Sequence, residues 1–268
     1  MNKHEFENKC KEIRRTILEM KYKTKASHIG NSLSCTDILV YLYYVFLKID
    51  FNKNNQARDF FILSKGHAAT TVYAILYDKG VLSEDEIDNY YKDGSKLGDH
   101  VSNKIKGVEV STGSLGHGLS IGAGMALGGK LDNKKYSVAV LLGDGECNEG
   151  SVWEAAAFSS TQKLNNLIAI VDYNKFQGFG RSNEILNLPV LKRKWKEFGF
   201  EVYEINGNNF EDIDLTFHKI INSSTNKPKA VIANTKMGFG ISFMEDKLDW
   251  HYKSPNNQEY KQGLEELK

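Results

Sequence analysis

GDGECNEGSVWEAAAFSSTQKLNNLIAIVDYNKFQ, residues 143–177, contains two apolar runs that both finish on oxygen-bearing side chains. The first run, YSVAVLL (136–142), ends at Gly-Asp-Gly; the second, NLIAIVD (166–172), ends at Asp-Tyr-Asn. Thirty residues separate Asp144 from Asn174, about the length of a strand–helix–strand crossover. The spacing predicts that both side chains converge at the carboxyl ends of adjacent parallel strands, where open α/β sheets bind ligands. One carboxylate and one amide oxygen, with a loop carbonyl, make a hard and incomplete oxygen site. Magnesium favours such a set, with phosphate oxygens and water filling the octahedron. Gly143 and Gly145 would let the backbone turn sharply beside a phosphate. For an isolated Gly-Asp-Gly the plainer reading, a strand-ending turn, stays open.

Working outward, FFIL (60–63), EVYEI (201–205) and KAVIANT (229–235) are further predicted strands. Most are rich in Val, Ile and Leu without strict alternation, as expected when both faces are buried. Helical patterns fall between them. Phe6, Cys10, Ile13 and Ile17 repeat at helical spacing. SEDE (83–86) is a capping box before a helix near 84–91; Ser34 is a candidate cap for the helix carrying CTDILVYLYYVFLKI. Ser254-Pro255 is a candidate cap and first-turn proline for the last helix. The alternation implies a doubly wound, mostly parallel α/β sheet with helices on both faces, in a single domain over 1–268.

The 268 residues carry 35 basic and 34 acidic side chains. No basic stripe suggests nucleic acid, and no Lys/Arg block suggests a membrane surface. The first twenty residues mix acids with bases and lack the apolar core of a signal peptide. Three widely spaced cysteines fit neither a disulfide framework nor a zinc site. A soluble, reduced, cytoplasmic protein is the expectation. A dinucleotide-binding reading fails for want of a GxGxxG after the first strand; GSLGHG (113–118) has another spacing.

Gly-Asp-Gly followed at this interval by an Asn resembles the thiamine diphosphate-dependent enzymes. SKGH (64–67), VEVSTGSLGHG (108–118), GDG…EG…E (143–154) and WH (250–251) are similar to transketolase motifs, in transketolase order. The resemblance runs from the first helix to about residue 260 and covers the domain that holds the cofactor diphosphate. It implies thiamine diphosphate and Mg²⁺ (Ca²⁺ or Mn²⁺ substituting), with Asp144, Asn174 and the Phe176 carbonyl as metal ligands and Gly145 against the diphosphate. Gly113, Leu115 and His117 would line the cofactor, with Gly143 and Glu149 near it. His28, His67 and His100 would face substrate hydroxyls, and His67 and His251 would approach the diphosphate.

Ketol transfer moves protons on and off hydroxyls near neutral pH, which suits imidazole. Of the seven histidines, His4 and His218 read as surface residues of helices. Two positions depart from the family pattern. Ile29 stands where a proline is usual, and His117 where a glutamine is usual; both leave the sugar specificity open.

Glu149 and Glu154 flank the helix after Gly-Asp-Gly. Five residues turn a helix by about 140°, so the two carboxylates do not share one ion. The resemblance puts both at a subunit interface, with Trp153 and alanines 155–157 as a contact face. In the family, the glutamate that activates the pyrimidine ring belongs to a second domain, and no second set of strands follows His251. The expectation is therefore the amino-terminal subunit of a split transketolase. A separate chain would supply the pyrimidine-binding domain, in a homodimer or heterotetramer acting on sugar phosphates. Alternatives are another transketolase-like synthase, making an unusual sugar or 1-deoxyxylulose phosphate, and a non-catalytic regulatory homologue.

Overall fold

The computed structural model describes residues 1–51, 58–186 and 190–268. In chain order, helices α1 (Lys3–Thr24), α2 (Ile29–Ser34) and α3 (Thr36–Tyr41) precede strand β1 (Phe60–Leu63). Helices α4 (Ala69–Asp78), α5 (Glu84–Asp88) and α6 (Gly118–Leu131) lead to β2 (Val138–Gly143), α7 (Gly150–Thr161) and β3 (Leu167–Tyr173). A hairpin of β4 (Phe176–Gln177) and β5 (Gly180–Arg181) is followed by α8 (Ser182–Ile185) and α9 (Leu191–Glu197). Strand β6 (Glu201–Asn206), α10 (Phe210–Ile221), β7 (Lys229–Asn234) and α11 (Asn257–Glu266) complete the order.

Five strands form one sheet in the order β1-β2-β3-β7-β6, and every pairing in it is parallel. Side-chain alternation divides each strand between two cores. Val138, Val140 and Leu142 join α6, α7 and α9 on one face, while Ala139 and Leu141 join α1, α3, α4 and α10 on the other. Coverage on both faces is why β2 is buried at all six residues and why its sequence lacks polar alternation. The Phe6, Cys10, Ile13 and Ile17 stripe is buried in α1.

Three expected helix ends differ. Ser34 ends α2 and does not cap α3, whose cap position is Cys35; the Ser34 hydroxyl instead donates to Asp172 at 2.6 Å, a buried carboxylate that needs donors. The last helix is capped by Asn256, in a reciprocal box with Glu259, rather than by Ser254. The Ser83–Glu86 box is present, but α5 stops at Asp88, and Tyr91 takes a left-handed φ of 60°. The segment after α3 continues as a π-helical turn, Leu42–Phe46. All three cysteines are free and buried. Among the described residues no helix is long and apolar enough to cross a membrane.

Candidate active site

Gly143 pairs with Asp172 at the top of β2 and β3, so the loops carrying Asp144 and Asn174 leave the sheet side by side. Both residues line one cleft of about 340 Å³. The Asp144 carboxylate accepts the Gly145 N–H at 2.9 Å and the Ser182 hydroxyl at 2.7 Å. Ser182 in turn donates its N–H to the Lys175 carbonyl at 3.0 Å, which ties the two loops together. Burial pushes the Asp144 carboxyl up to about 7. A carboxylate so placed favours any cation that can reach it.

The Asn174 carboxamide is oriented by its neighbours. Its Nδ2 donates to Asn31 Oδ1 and to Ser34 Oγ, both at 3.3 Å. Its Oδ1 accepts the Phe176 N–H at 3.0 Å and keeps a second lone pair. Asn31 Nδ2 then donates to His251 Nδ1 at 3.1 Å. This relay joins the oxygen pair to the histidines. Asn31 lies three positions after His28, one helical turn along the same short helix; that spacing was the available signal for it.

Glu146 was not anticipated either. It is 1% exposed, and its oxygens accept the Gly116 N–H at 2.8 Å, the Gly143 N–H at 3.1 Å and the Ser64 hydroxyl. One carboxylate thus fastens three turns that frame the cleft. Gly116, at φ 88°, passes so close that a Cβ would lie 2.5 Å from Ser151 Oγ. Lys65, 1% exposed and lining the cleft, pairs with the fully buried Asp172, which also accepts from Ser34 and Thr235. Two buried polar atoms beside the cleft have no partner among the described residues: Asn148 Oδ1 and Gln177 Nε2. Buried polar atoms are normally hydrogen-bonded, so this pair is open to further partners.

His67 and His251 line the other end, and His28 and His100 cluster beside them. The His28 ring lies 5.2 Å from His67, 6.2 Å from His100 and 5.4 Å from His251, and His67 lies 6.0 Å from His251. Burial pushes His67 well below its ordinary value, His251 to about 4, and His100 down as well. These three rings are neutral at pH 7, able to accept or donate single hydrogen bonds. His4 and His218 lie exposed on α1 and α10.

Leu115, Gly143, Gly145, Glu149 and Phe176 also line the cleft. Gly113 and His117 do not. Gly113 packs against the His100 ring, where a Cβ would sit 3.5 Å from Cδ2. His117 occupies the residue before α6 and is exposed, because Gly116 and Gly118, not the ring, make the close approach to Glu146 and Ser64. Trp153 is half-buried. Its ring packs on Trp195 and Phe198, 5.3 and 5.1 Å away, and its N–H donates to the Cys147 carbonyl at 2.8 Å. Ala155 and Ala156 are buried, whereas Glu154, Ala157 and Phe158 are exposed.

The family profile described as "Transketolase, thiamine diphosphate binding domain" matches residues 7–266. The chain is 43% identical over 267 residues to one subunit of the apulose-4-phosphate transketolase of Actinobacillus succinogenes, covering 98% of this chain and 96% of that one. It is 40% identical over 255 residues to the corresponding subunit from Phocaeicola vulgatus, covering 95% and 90%. The crystal structure of Campylobacter jejuni transketolase superposes with a TM-score of 0.94 at 28% identity; all of this chain is covered but only 43% of that one. The chain belongs to the transketolase family, and the part of the family it represents is the thiamine diphosphate-binding domain.

Proposed function

We propose that this chain is the diphosphate- and Mg²⁺-binding subunit of a transketolase, moving a two-carbon ketol unit from a ketose phosphate to an aldose phosphate. It would act as one domain, in the cytoplasm, with a second chain that carries the pyrimidine-binding domain, the two together forming a heterotetramer. The carrying observation is the convergence of Asp144, Asn174, His67 and His251 on one cleft, with the His28 ring 5.2 and 5.4 Å from those two imidazoles and 6.2 Å from His100. Near-complete coverage of relatives that are themselves named as single subunits of a transketolase supports the two-chain reading.

The donor set fits the cofactor. Among the described residues no cluster of three His, Cys or carboxylate side chains could hold a metal. A single carboxylate, an oriented amide and a main-chain oxygen are what a phosphate-bridged Mg²⁺ uses. Asp144 and Asn174 would hold the ion with the Phe176 carbonyl, and Gly145 and the Gln177 Nε2 donor would meet the diphosphate. Bound thiamine diphosphate supplies the electron sink for breaking and making the carbon–carbon bond. The protein's share is position and proton traffic. Neutral His67, His100 and His251 can each take a proton from a sugar hydroxyl and return it, and the Lys65–Asp172 pair keeps the floor of the cleft fixed. Exposed Glu149 and Glu154, with Ala157 and Phe158, would make the subunit contact.

The test is an assay of this chain with thiamine diphosphate, Mg²⁺, a ketose phosphate and an aldose phosphate, alone and with the candidate partner. Apulose 4-phosphate, named in two relatives, is the first donor to try. Turnover only with both chains is expected; full turnover by this chain alone overturns the two-chain reading. Product analysis with pyruvate as donor separates ketol transfer from a deoxyxylulose phosphate-type synthase. A regulatory homologue would leave the partner's activity intact after Asp144→Ala.

A further inference from the structure

Among the described residues, His28 is the one imidazole of the four that meets a carboxylate within hydrogen-bond distance. Asp99 Oδ2 lies 2.9 Å from His28 Nδ1. Its other oxygen accepts from Lys21 Nζ at 2.6 Å and from the Tyr90 hydroxyl at 2.7 Å, and Lys21 also donates to Tyr90 at 2.9 Å. The Lys21 side chain is 0% exposed and that of Asp99 10%. Lys21 sits in the last turn of α1, and Asp99 in the loop between α5 and α6, so elements far apart in sequence meet behind one ring. Burial would raise the Asp99 carboxyl, but the hydrogen bond from His28, the Lys21 ammonium and Tyr90 outweigh it and hold it below the ordinary range.

The backbone of His28 is held as tightly as its ring. His28 takes a left-handed conformation, φ 67° and ψ 22°, which disfavours a side chain with a Cβ by about 1 kcal/mol or more. Its N–H donates to the His251 carbonyl at 2.9 Å, and its own carbonyl accepts from Ser32 N–H and Oγ, both at 3.2 Å. A core ion pair between Lys21 and Asp99 would need none of this. It would need only Oδ1, which already has two donors; Oδ2 has the imidazole, with the Ser27 hydroxyl at 3.5 Å.

We propose that Asp99, backed by Lys21 and Tyr90, is a positioning residue for His28: it holds the ring with its proton on Nδ1 and turns Nε2 into the proton acceptor that faces the substrate. The assignment of the substrate rests on the ketol-transfer reading; the tautomer does not. Nε2 has no protein partner among the described residues, while the ring borders those of His67, His100, His251 and Tyr252. The Lys21–Asp99 couple is neutral as a whole, so it directs the ring more than it adds negative charge. Nε2 takes the proton of a donor hydroxyl, the imidazolium rests against Asp99, and the same nitrogen returns the proton to the acceptor.

The deciding measurement is ¹⁵N NMR of histidine-labelled full chain at pH 8, with and without thiamine diphosphate and Mg²⁺. The His28 signals are assigned by their loss in His28→Gln. The expected result is the Nδ1–H tautomer in the unmodified protein. In Asp99→Asn the lone amide oxygen must serve the buried Lys21 ammonium, which turns the NH₂ toward the ring, so the tautomer should switch to Nε2–H. With the partner chain present, that variant should lower kcat by ~10²-fold and leave the KM for thiamine diphosphate within about twofold. A wild-type His28 found as Nε2–H, or a tautomer indifferent to Asp99→Asn, overturns the proposal. If the variant does not fold, the wild-type tautomer still decides. If the wild-type pair of chains lacks ketol transfer while the tautomer is as expected, the functional reading fails and the positioning role stands.

Discussion

The two ends of the cleft are finished to different degrees. At the histidine end the protein supplies its own partners: Asp99 behind His28, Asn31 behind His251, and the His251 carbonyl on the His28 N–H. At the other end, among the described residues, Asp144 is buried with two neutral donors and no cation in hydrogen-bond contact, and Asn148 Oδ1 and Gln177 Nε2 have no partner. One end is preorganised by folding; the other is completed by what it binds. An enzyme that borrows its reactive carbon from a cofactor would be served by this division, with the cofactor held where the protein is unsatisfied and protons moved where it is rigid, as the proposed function has it.

The sharpest way to break the comparison is Asp144→Ala. If that end awaits an ion, the variant should lose ~10³-fold or more of Mg²⁺-dependent ketol transfer. The thermal shift that thiamine diphosphate and Mg²⁺ produce should vanish, while the midpoint of the unliganded chain stays level or rises. A fall in unliganded stability would mean that Asp144 is a structural residue. Glu146→Ala should behave in the opposite way. It strands two backbone N–H groups and a hydroxyl, so urea unfolding without ligand should show a loss of roughly 3 kcal/mol.

The histidine end carries a pH signature. His67, His100 and His251 bind protons less readily folded than unfolded, so the unfolded chain gains protons first on acidification. The stability that their neutrality provides is complete above about pH 6.5 and declines as pH falls toward about 4, the value to which His251 is pushed. His251 alone should account for on the order of 3 kcal/mol. Denaturant midpoints from pH 8 to 4.5 should therefore fall, and His251→Gln should flatten part of the slope. The smallest effect belongs to the outer face of α7. Phe158, 43% exposed, should tolerate Phe158→Ser within ~0.5 kcal/mol in chemical unfolding. If that face is a subunit contact, sedimentation velocity should nonetheless show a weaker assembly.

Much of this was legible along the chain. Runs buried on both faces read as strands because a parallel sheet needs no polar side, and the 30-residue interval between Asp144 and Asn174 placed both at strand ends because a crossover has a minimum length. The histidines stood out by their glycine-rich surroundings. Asn31, Glu146 and Asp99 did not stand out. An asparagine in a helix, a glutamate beside glycine and an aspartate in a loop are ordinary until something distant meets them. The packing of Trp153 was hidden for the same reason: Trp195 and Phe198, against which its ring lies, come some 40 residues later.

The sequence alone determined the local terms: the strand order along the chain, the helix stripes, the oxygen-bearing strand ends and the family motifs, all set by residue type and spacing. Only the tertiary structure decided which side chain backs which. Lys21, Tyr90, Asp99 and His28 span more than 70 positions, and their meeting depends on how α1 packs beside the loop before α6. Hydrogen bonds are short-ranged and directional, so no periodicity in the chain encodes them; the packed core brings the partners within reach.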